Sequence, residues 1–237
     1  MIPKIIHYCW FGHNPKPASV ETCIASWRRY CPDYEIIEHH EGNYDLTKNI
    51  YMKQAYENKK WAFVTDYARL DIVYEYGGIY LDTDVELLKP LDHLLDCKGF
   101  MGFEDDEKVA TGLGMGAVPK HPLLAGLMQD YQDLRFVRED GSFDMTPCTR
   151  RNTDHLILNH GLKPDGSLQK LDDFMIYPRD YFAPKGPVDR TMKYFTENTV
   201  SVHHYDASWA EGKQKRDIRI LKTFGGRIGG FLVDHLK

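Results

Sequence analysis

The sequence predicts a single α/β domain whose central sheet contains parallel strands. The chain has 237 residues, a length that suits one large domain with a substantial core. Its first forty residues follow the order strand, helix, strand, and a later apolar strand ends directly in two aspartates. No internal repeat or low-complexity linker divides the chain, so we expect one domain over residues 1–210, followed by a basic tail over 211–237.

The N-terminal elements follow from apolar runs and the residues that end them. The run over 4–10 predicts a buried first strand. Ser19 is expected to cap a helix that ends near Tyr30, and residues 34–38 predict a second strand. Because parallel strands need a crossover connection, this order predicts a βαβ unit.

Two helices and a short strand are expected next, over 48–58, 61–76 and 79–81. The second helix carries apolar residues at helical spacing, and Gly77 and Gly78 are expected to end it. Beyond this point the pattern predicts extended segments over 85–88, 99–103, 112–118 and 200–205, with helices over 122–134 and 154–159. The pattern is weak between residues 135 and 187.

Composition excludes several classes of protein. A net charge of -5 and a pI of about 6.1 disfavour binding to nucleic acid. The five cysteines form no CxxC pair and are odd in number, which predicts reduced thiols and a cytoplasmic protein rather than a disulfide framework or a zinc site. Neither a signal peptide nor a membrane span is expected.

The tail over 211–237 has seven Lys or Arg residues against three acidic residues. Such a segment could rest on anionic lipid at the inner face of the membrane. The alternative is a solvated helix face with no partner.

The sharpest chemical feature is the segment GGIYLDTDVELLKP, in which an apolar strand precedes Asp82 and Asp84. Residues two apart on a strand share a face, so both carboxylates are expected to converge on one cation. Carboxylate oxygens suit Mg²⁺ or Mn²⁺, which would bridge to phosphate oxygens and offset the charge of a departing diphosphate.

Other interpretations of this motif remain open. Two aspartates after a strand often only cap a turn. Haloacid-dehalogenase phosphatases also place a DxD motif after a strand, although close to the N-terminus and with Thr or Val at the fifth position. Here the fifth position is Glu86, and the motif lies a third of the way along the chain.

Three further features are candidates, each with a structural alternative. Asp66 and Arg69 are spaced i, i+3 and so share one face of a helix. They are candidate site residues, and the alternative is an ion pair on the protein surface. His203 or His204 could complete a metal site, or both could be ordinary polar residues at a strand end. Trp10 could stack on a base or belong to the core.

Three blocks together resemble family 32 glycosyltransferases, a family that includes bacterial capsular polysaccharide transferases, yeast mannosyltransferases and, more distantly, clostridial glucosylating toxins. The blocks are IPKIIHYCWFG, VTDYARLDIVYEYGGIYLDTDVELLKPLD and HHYDASW, and they extend from residue 2 to residue 209. The resemblance implies a GT-A fold of the Rossmann-like, nucleotide-sugar-binding kind. It also implies a UDP- or GDP-sugar donor, a divalent metal and retention of anomeric configuration.

The resemblance also implies roles for individual residues. Trp10 would stack on the base, Asp66 and Arg69 would bind ribose and sugar hydroxyls, and Asp82 would contact both donor and metal. Asp84 would ligate the metal directly, with His203 or His204 as a further ligand. Ser208 and Trp209 match the SW pair that lies near the diphosphate. Residues 140–159 do not match the family pattern, so no catalytic base is assigned.

The sequence therefore predicts a metal-dependent retaining glycosyltransferase that acts on a glycan or lipid-linked acceptor in surface polysaccharide synthesis. Two alternatives share the same motif: a metal-dependent phosphohydrolase and a non-catalytic nucleotide-sugar-binding protein.

Overall fold

The computed structural model describes residues 1–185 and 191–206. The helices in this part of the chain are α1 (Ala18–Tyr30), α2 (Ile50–Glu57), α3 (Trp61–Tyr76), α4 (Pro122–Gln129) and α5 (Cys148–His160). The strands are β1 (Ile5–Cys9), β2 (Glu35–His39), β3 (Gly78–Tyr80), β4 (Val85–Leu87), β5 (Gly99–Phe103), β6 (Val109–Ala110), β7 (Met115–Ala117), β8 (Gln169–Leu171), β9 (Phe174–Tyr177) and β10 (Ser201–His203).

The main sheet is mixed, with strand order β2-β1-β3-β7-β5-β9-β8 and with β6 paired to β5. Strand β1 runs parallel to β2 and β3, as the βαβ prediction requires. Strand β7 is antiparallel to both β3 and β5, and β9 is parallel to β5. Strands β1, β3, β5 and β9 therefore point the same way, and their carboxyl ends share one edge of the sheet.

Buried side chains fill both faces of this sheet, because successive strand residues point to opposite sides. Ile79 belongs to the cluster that packs against α1, whereas Tyr80 belongs to the cluster that packs against α2, α3 and α4. Trp27 of α1 is fully buried, and its ring N–H donates to the Val85 carbonyl of β4. Helices thus cover both sides of the sheet, as expected for an α/β domain.

The start of α1 corrects the capping prediction. The helix begins at Ala18, and Pro17 is the capping residue, whose carbonyl accepts from Val20 N at 3.0 Å. Ser19 lies inside the first turn, and no side chain caps this end. The prediction failed because the chain enters the helix two residues earlier than a cap at Ser19 requires.

Helix α3 ends where the double glycine was expected to end it. Gly77 has φ of 67° and Gly78 has φ of 90°, a region that side chains other than glycine rarely adopt. A Cβ on Gly78 would lie 2.8 Å from the carbonyl oxygen of Ile5 in β1. The two glycines therefore let the chain reverse from α3 and enter β3 in close contact with β1.

The C-terminal half departs further from the prediction. Strands β6, β8 and β9 were not predicted, α5 begins six residues earlier than expected, and α4 ends at Gln129. All five cysteines are free, as predicted. Among the described helices, none has the length and apolar character needed to cross a membrane. The basic tail over 211–237 lies outside the described residues.

Candidate active site

Asp82 and Asp84 lie at the carboxyl edge of the sheet, in the turn that joins β3 to β4. The turn is closed by Val85 N, which donates to the Asp82 carbonyl at 3.0 Å. Strand β3 already ends at Tyr80, so the two carboxylates converge through this turn and not through strand alternation. The expected convergence is present, but its predicted cause was wrong.

A histidine from a distant part of the sequence completes the cluster. Strand β10 pairs with β4 in antiparallel register, which places His203 opposite Val85. One side-chain ligand atom from each of Asp82, Asp84 and His203 lies within 4.8 Å of the others. Two carboxylates and an imidazole can therefore face one cation.

The neighbouring histidine points to a different partner. His203 Nε2 lies 3.0 Å from Asp84 Oδ1, whereas His204 Nε2 lies 2.8 Å from Glu86 Oε2. His203 is the last residue of β10 and His204 follows it, and their rings face different carboxylates. The geometry therefore favours His203 over His204 as the third ligand of this cluster.

Asp84 and His203 shift each other's protonation. Burial alone would raise the pKa of Asp84, but the charge and hydrogen bond of His203 hold that pKa below its ordinary value. Burial would lower the pKa of His203, but Asp84 raises it to about 9. The backbone N–H of Asp206 also donates to Asp84 Oδ2 at 2.9 Å. A deeply placed carboxylate is thus kept ionised, as a metal ligand must be.

Asp66 and Arg69 are buried and are not the surface ion pair that the periodicity also allowed. Their side chains are 7% and 5% exposed, and Arg69 Nη2 lies 3.1 Å from Asp66 Oδ1. Arg69 Nη1 also lies 3.5 Å from Asp82 Oδ2. Arg69 therefore links helix α3 to the first aspartate of the motif.

The segment before β7 approaches these side chains very closely. Asp82 N donates to the carbonyl of Gly112 at 3.0 Å. A Cβ on Gly112 would lie 1.9 Å from Asp82 Oδ2 and 2.7 Å from Arg69 Nη1. Only glycine leaves room for both side chains, so Gly112 helps to fix the position of Asp82.

We expect Gly112→Ala to displace the Asp82 carboxylate and to weaken binding of Mn²⁺ at least tenfold. Relieving this overlap should also cost about 1–3 kcal/mol of unfolding free energy. The measurement is Mn²⁺ titration together with urea unfolding. Gly141→Ala is the control, because a Cβ there would meet nothing within 4 Å, although its positive φ carries a small cost of its own. Equal Mn²⁺ affinity in Gly112→Ala and the unmodified chain would contradict this role for Gly112.

Of the remaining residues predicted to bind the donor, the structure describes Trp10 but not Ser208 or Trp209. Trp10 directly follows β1 at the same edge, is partly buried and donates from its ring N–H to the Asn14 carbonyl at 2.7 Å. Its stacking on a base stays a prediction. Ser208 and Trp209 lie outside the described residues.

Helix α5 contributes to the site, although the sequence assigned nothing there. Its first residue, Cys148, lies close enough to the Asp66 carboxylate for each group to shift the pKa of the other. Asn152 Nδ2 lies 3.4 Å from Thr111 Oγ1, beside Gly112. The signal available in the sequence was Pro147, since proline is common at a helix start and marks one here.

Residues 17–101 match the model of the family described as "Glycosyltransferase sugar-binding region containing DXD motif". The matched region contains α3, the double glycine and both aspartates. It ends within β5, so His203 lies beyond it.

Two proteins illustrate what this chain is similar to in sequence. The chain is 30% identical to inositol phosphoceramide mannosyltransferase 1 of Schizosaccharomyces pombe, over 52% of this chain and 40% of that protein. It thus spans less than half of that relative's length. It is 24% identical to an uncharacterized glycosyltransferase of Acanthamoeba polyphaga mimivirus, over 89% of this chain and 84% of the relative.

Among solved structures, the PaToxG glycosyltransferase superposes with a TM-score of 0.51 at 16% identity, over 66% of this chain and 68% of that one. At this identity the likeness concerns the fold alone. The GT-A fold that the sequence resemblance implied is confirmed.

Proposed function

We propose that this chain is a metal-dependent enzyme that transfers a sugar from a UDP- or GDP-sugar with retention of anomeric configuration. The premise is the match of residues 17–101 to the DXD-containing sugar-binding region of glycosyltransferases. The observation that supports this proposal most strongly is the convergence of Asp82, Asp84 and His203 beside the buried Arg69.

The chemistry of this cluster fits a divalent cation. Two carboxylate oxygens and one imidazole nitrogen are suitable ligands for Mn²⁺. Mg²⁺ also binds carboxylate oxygens. When bound, such a cation supplies positive charge that stabilises a departing diphosphate. Asp82, Asp84 and His203 are the residues that would hold the cation, and the Asp206 N–H keeps Asp84 oriented.

Arg69 and Asp66 act on the other side of Asp82. Arg69 fixes one oxygen of Asp82, and Tyr80 donates its hydroxyl to the other at 3.1 Å. An aspartate restrained at both oxygens presents a constant geometry to a donor hydroxyl or a cation. We propose that Asp66 and Arg69 meet the ribose and sugar hydroxyls, with Trp10 against the base.

The proposal also covers the acceptor and the cellular location. One relative is named for transfer to inositol phosphoceramide, which is a lipid. We propose a glycan or lipid-linked acceptor used in surface polysaccharide synthesis, at the cytoplasmic face of a membrane contacted through the basic tail.

The proposal is tested by incubating the protein with UDP- and GDP-hexoses and Mn²⁺ and measuring nucleoside diphosphate release. We expect release from one donor, dependent on Mn²⁺. Asp84→Asn should reduce it about 100-fold, which corresponds to about 2.7 kcal/mol of barrier. Glu86→Gln is the matched control, because Glu86 lies two residues away and pairs with His204, and it should retain activity within a few fold.

Other outcomes separate the alternatives. Phosphate release from simple phosphomonoesters, without action on nucleotide-sugars, would indicate a phosphohydrolase. Donor binding by calorimetry, with neither hydrolysis nor transfer, would indicate a binding protein.

A further inference from the structure

Arg179 is a largely buried cation that the proposed function does not use. It lies two residues after β9, and its side chain is 11% exposed. Its Nε is buried and makes no hydrogen bond with any described residue. Taking a charged group out of water is costly unless partners of opposite charge and hydrogen bonds replace the water. A guanidinium with an unused buried donor therefore calls for an explanation.

The one ion pair that Arg179 makes in the described part of the chain is long and faces solvent. Its Nη1 lies 3.9 Å from Asp106 Oδ1, and the Asp106 side chain is 73% exposed. Exposed ionic contacts of this kind contribute little to stability. The carboxylate of Asp180, the next residue, is engaged elsewhere, because its Oδ2 accepts from Thr196 Oγ1 at 2.7 Å. Within residues 1–185 and 191–206, Arg179 thus has no close counter-charge.

An aromatic ring and a tight turn hold the guanidinium in place. Its Cζ lies 3.6 Å from the centre of the Tyr194 ring. The backbone N–H groups of Phe182 and Ala183 both donate to the Arg179 carbonyl, at 3.3 and 2.7 Å. A planar guanidinium that stacks on a ring keeps its N–H donors in a fixed fork at its edge. The side chain is therefore held ready to bind an anion.

Arg179 lies at the edge of the sheet that carries the metal cluster. The strand order β1-β3-β7-β5-β9 places Trp10, Asp82 and Arg179 along this edge in that order, since each follows the carboxyl end of its strand. The turn after β9 also contacts β10, the strand that ends in His203. The Tyr181 carbonyl accepts from the first residue of that strand at 3.2 Å. Arg179 therefore borders the cluster on the side away from Trp10.

This position favours the acceptor over the donor as the partner of Arg179. Neighbouring strands lie about 4.8 Å apart, so β9 is about 14 Å from β3 along the edge. In the proposed function the donor extends from Trp10 to the cation, where its diphosphate lies. A group that meets Arg179 lies beyond the cation, on the side from which an acceptor approaches the donor sugar.

We propose that Arg179 binds a phosphate group of an anionic acceptor. A guanidinium presents paired N–H donors that match two oxygens of a phosphate. The phosphate replaces the long contact with Asp106. The inference rests on the proposed function, since it assumes that an acceptor meets a bound donor at this edge. It names a class of acceptor, in which a phosphate lies near the hydroxyl that receives the sugar.

The test follows the Nε–H signal of Arg179 by nuclear magnetic resonance while the metal-free protein is titrated with glycerol 3-phosphate. The signal is identified by its loss in Arg179→Lys. We expect a saturable shift, and none with glycerol or with sodium chloride at equal ionic strength. Asp106→Asn should strengthen binding about twofold to fivefold, because it removes a carboxylate that competes for the guanidinium. Arg150→Met, at a position that is 72% exposed on α5, should leave the binding unchanged.

A second measurement separates the acceptor from the donor. Calorimetry gives the affinity for UDP and GDP, each with Mn²⁺, of Arg179→Gln and of the unmodified chain. We expect equal affinities. Weakening by about tenfold or more, as the loss of a hydrogen bond to a charged group causes, would show that Arg179 binds the donor's diphosphate, and it would overturn the inference.

The other contrary results differ in meaning. No saturable shift with glycerol 3-phosphate, or an equal shift with sodium chloride, would overturn the inference while leaving the proposed function intact. A larger response to acetate than to glycerol 3-phosphate would overturn it as well, because the ligand would then be a carboxylate. Failure of the unmodified chain to bind either nucleoside diphosphate with Mn²⁺ would instead contradict the proposed function. Urea unfolding curves establish that each variant is folded.

Discussion

Replacing Arg69 with methionine is expected to lower the free energy of unfolding by about 3–5 kcal/mol, because it leaves buried carboxylates without their counter-charge. Burial would lower the pKa of Arg69, but Asp82 and its other neighbours raise it well above the ordinary value, so the group is a permanent cation. Burial raises the pKa of Asp66, which shows how poorly that carboxylate would be solvated alone. Urea unfolding at pH 7 measures the loss.

The control is an ion pair that another aspartate of α3 makes with a lysine that precedes α2. Lys48 Nζ lies 2.7 Å from Asp71 Oδ2, but the Lys48 side chain is 37% exposed. Lys48→Met should cost less than about 1 kcal/mol, as partly exposed pairs usually do. Adding Asp66→Asn to Arg69→Met should recover part of the stability, because it removes one of the uncompensated charges. If Lys48→Met and Arg69→Met lowered the free energy of unfolding by the same amount, Arg69 would not be the counter-charge of buried carboxylates.

The burial of this ion pair could not be predicted from helical spacing. The sequence placed Phe63, Tyr67 and Leu70 on one face of α3, which leaves the opposite face for solvent. In the structure ten residues of α3 are buried, Asp66, Arg69 and Asp71 among them. A helix that packs against other elements on several sides also buries its polar residues. The spacing of apolar residues alone does not show how many elements pack against a helix.

The elements that were predicted best have local signals. Strand β1, helix α3 and the double glycine follow from an apolar run, a long periodic segment and two residues that tolerate positive φ. Strand β9 was missed because its apolar run, Phe174–Tyr177, is only four residues long and lies among turn residues. The role of Gly112 was missed because the atoms it accommodates belong to α3 and to the turn after β3, which are far away in the sequence.

The histidine cluster of the site shows the same limit. Strand alternation correctly implied that His203 and His204 diverge, but it could not say which one faces the aspartates. That choice depends on the register of β10 against β4, in which His203 lies opposite Val85. Register is a property of paired strands and is not written in either strand alone.

A buried pair of histidines behind the site makes stability depend on pH. His7 is 0% exposed and His39 is 6% exposed. His7 Nε2 lies 3.0 Å from the Gly77 carbonyl, and His7 Nδ1 lies 3.0 Å from His39 Nε2. Because a carbonyl only accepts, His7 must donate from Nε2 and accept at Nδ1 from His39. This chain of bonds ties β1 and β2 to the double glycine in the neutral state of both rings.

We expect stability to fall steeply as the pH drops from about 6.5 to about 4. Burial and next His39 lower the pKa of His7 from 6.5 to about 4, and burial and next His40 lower the pKa of His39 from 6.5 to about 4. In this range the unfolded chain binds more protons than the folded chain, so the stabilisation is complete above pH 6.5 and is lost as the pH approaches 4. Each ring contributes roughly 3 kcal/mol at most, against a typical total of about 5–15 kcal/mol.

Urea unfolding at pH 7, 6, 5 and 4.5 measures this dependence. His39→Gln removes one titrating group while its amide can still donate to His7 Nδ1, so the loss of stability between pH 7 and pH 4.5 should be roughly halved. His93→Asn, at an exposed position, should leave the slope unchanged. If the free energy of unfolding of His39→Gln changed with pH as much as that of the unmodified chain, groups other than this histidine pair would cause the pH dependence. A reduced slope would show that β1, β2 and Gly77 are joined by two rings that must stay uncharged, so that the frame holding the aspartate turn loosens in acid.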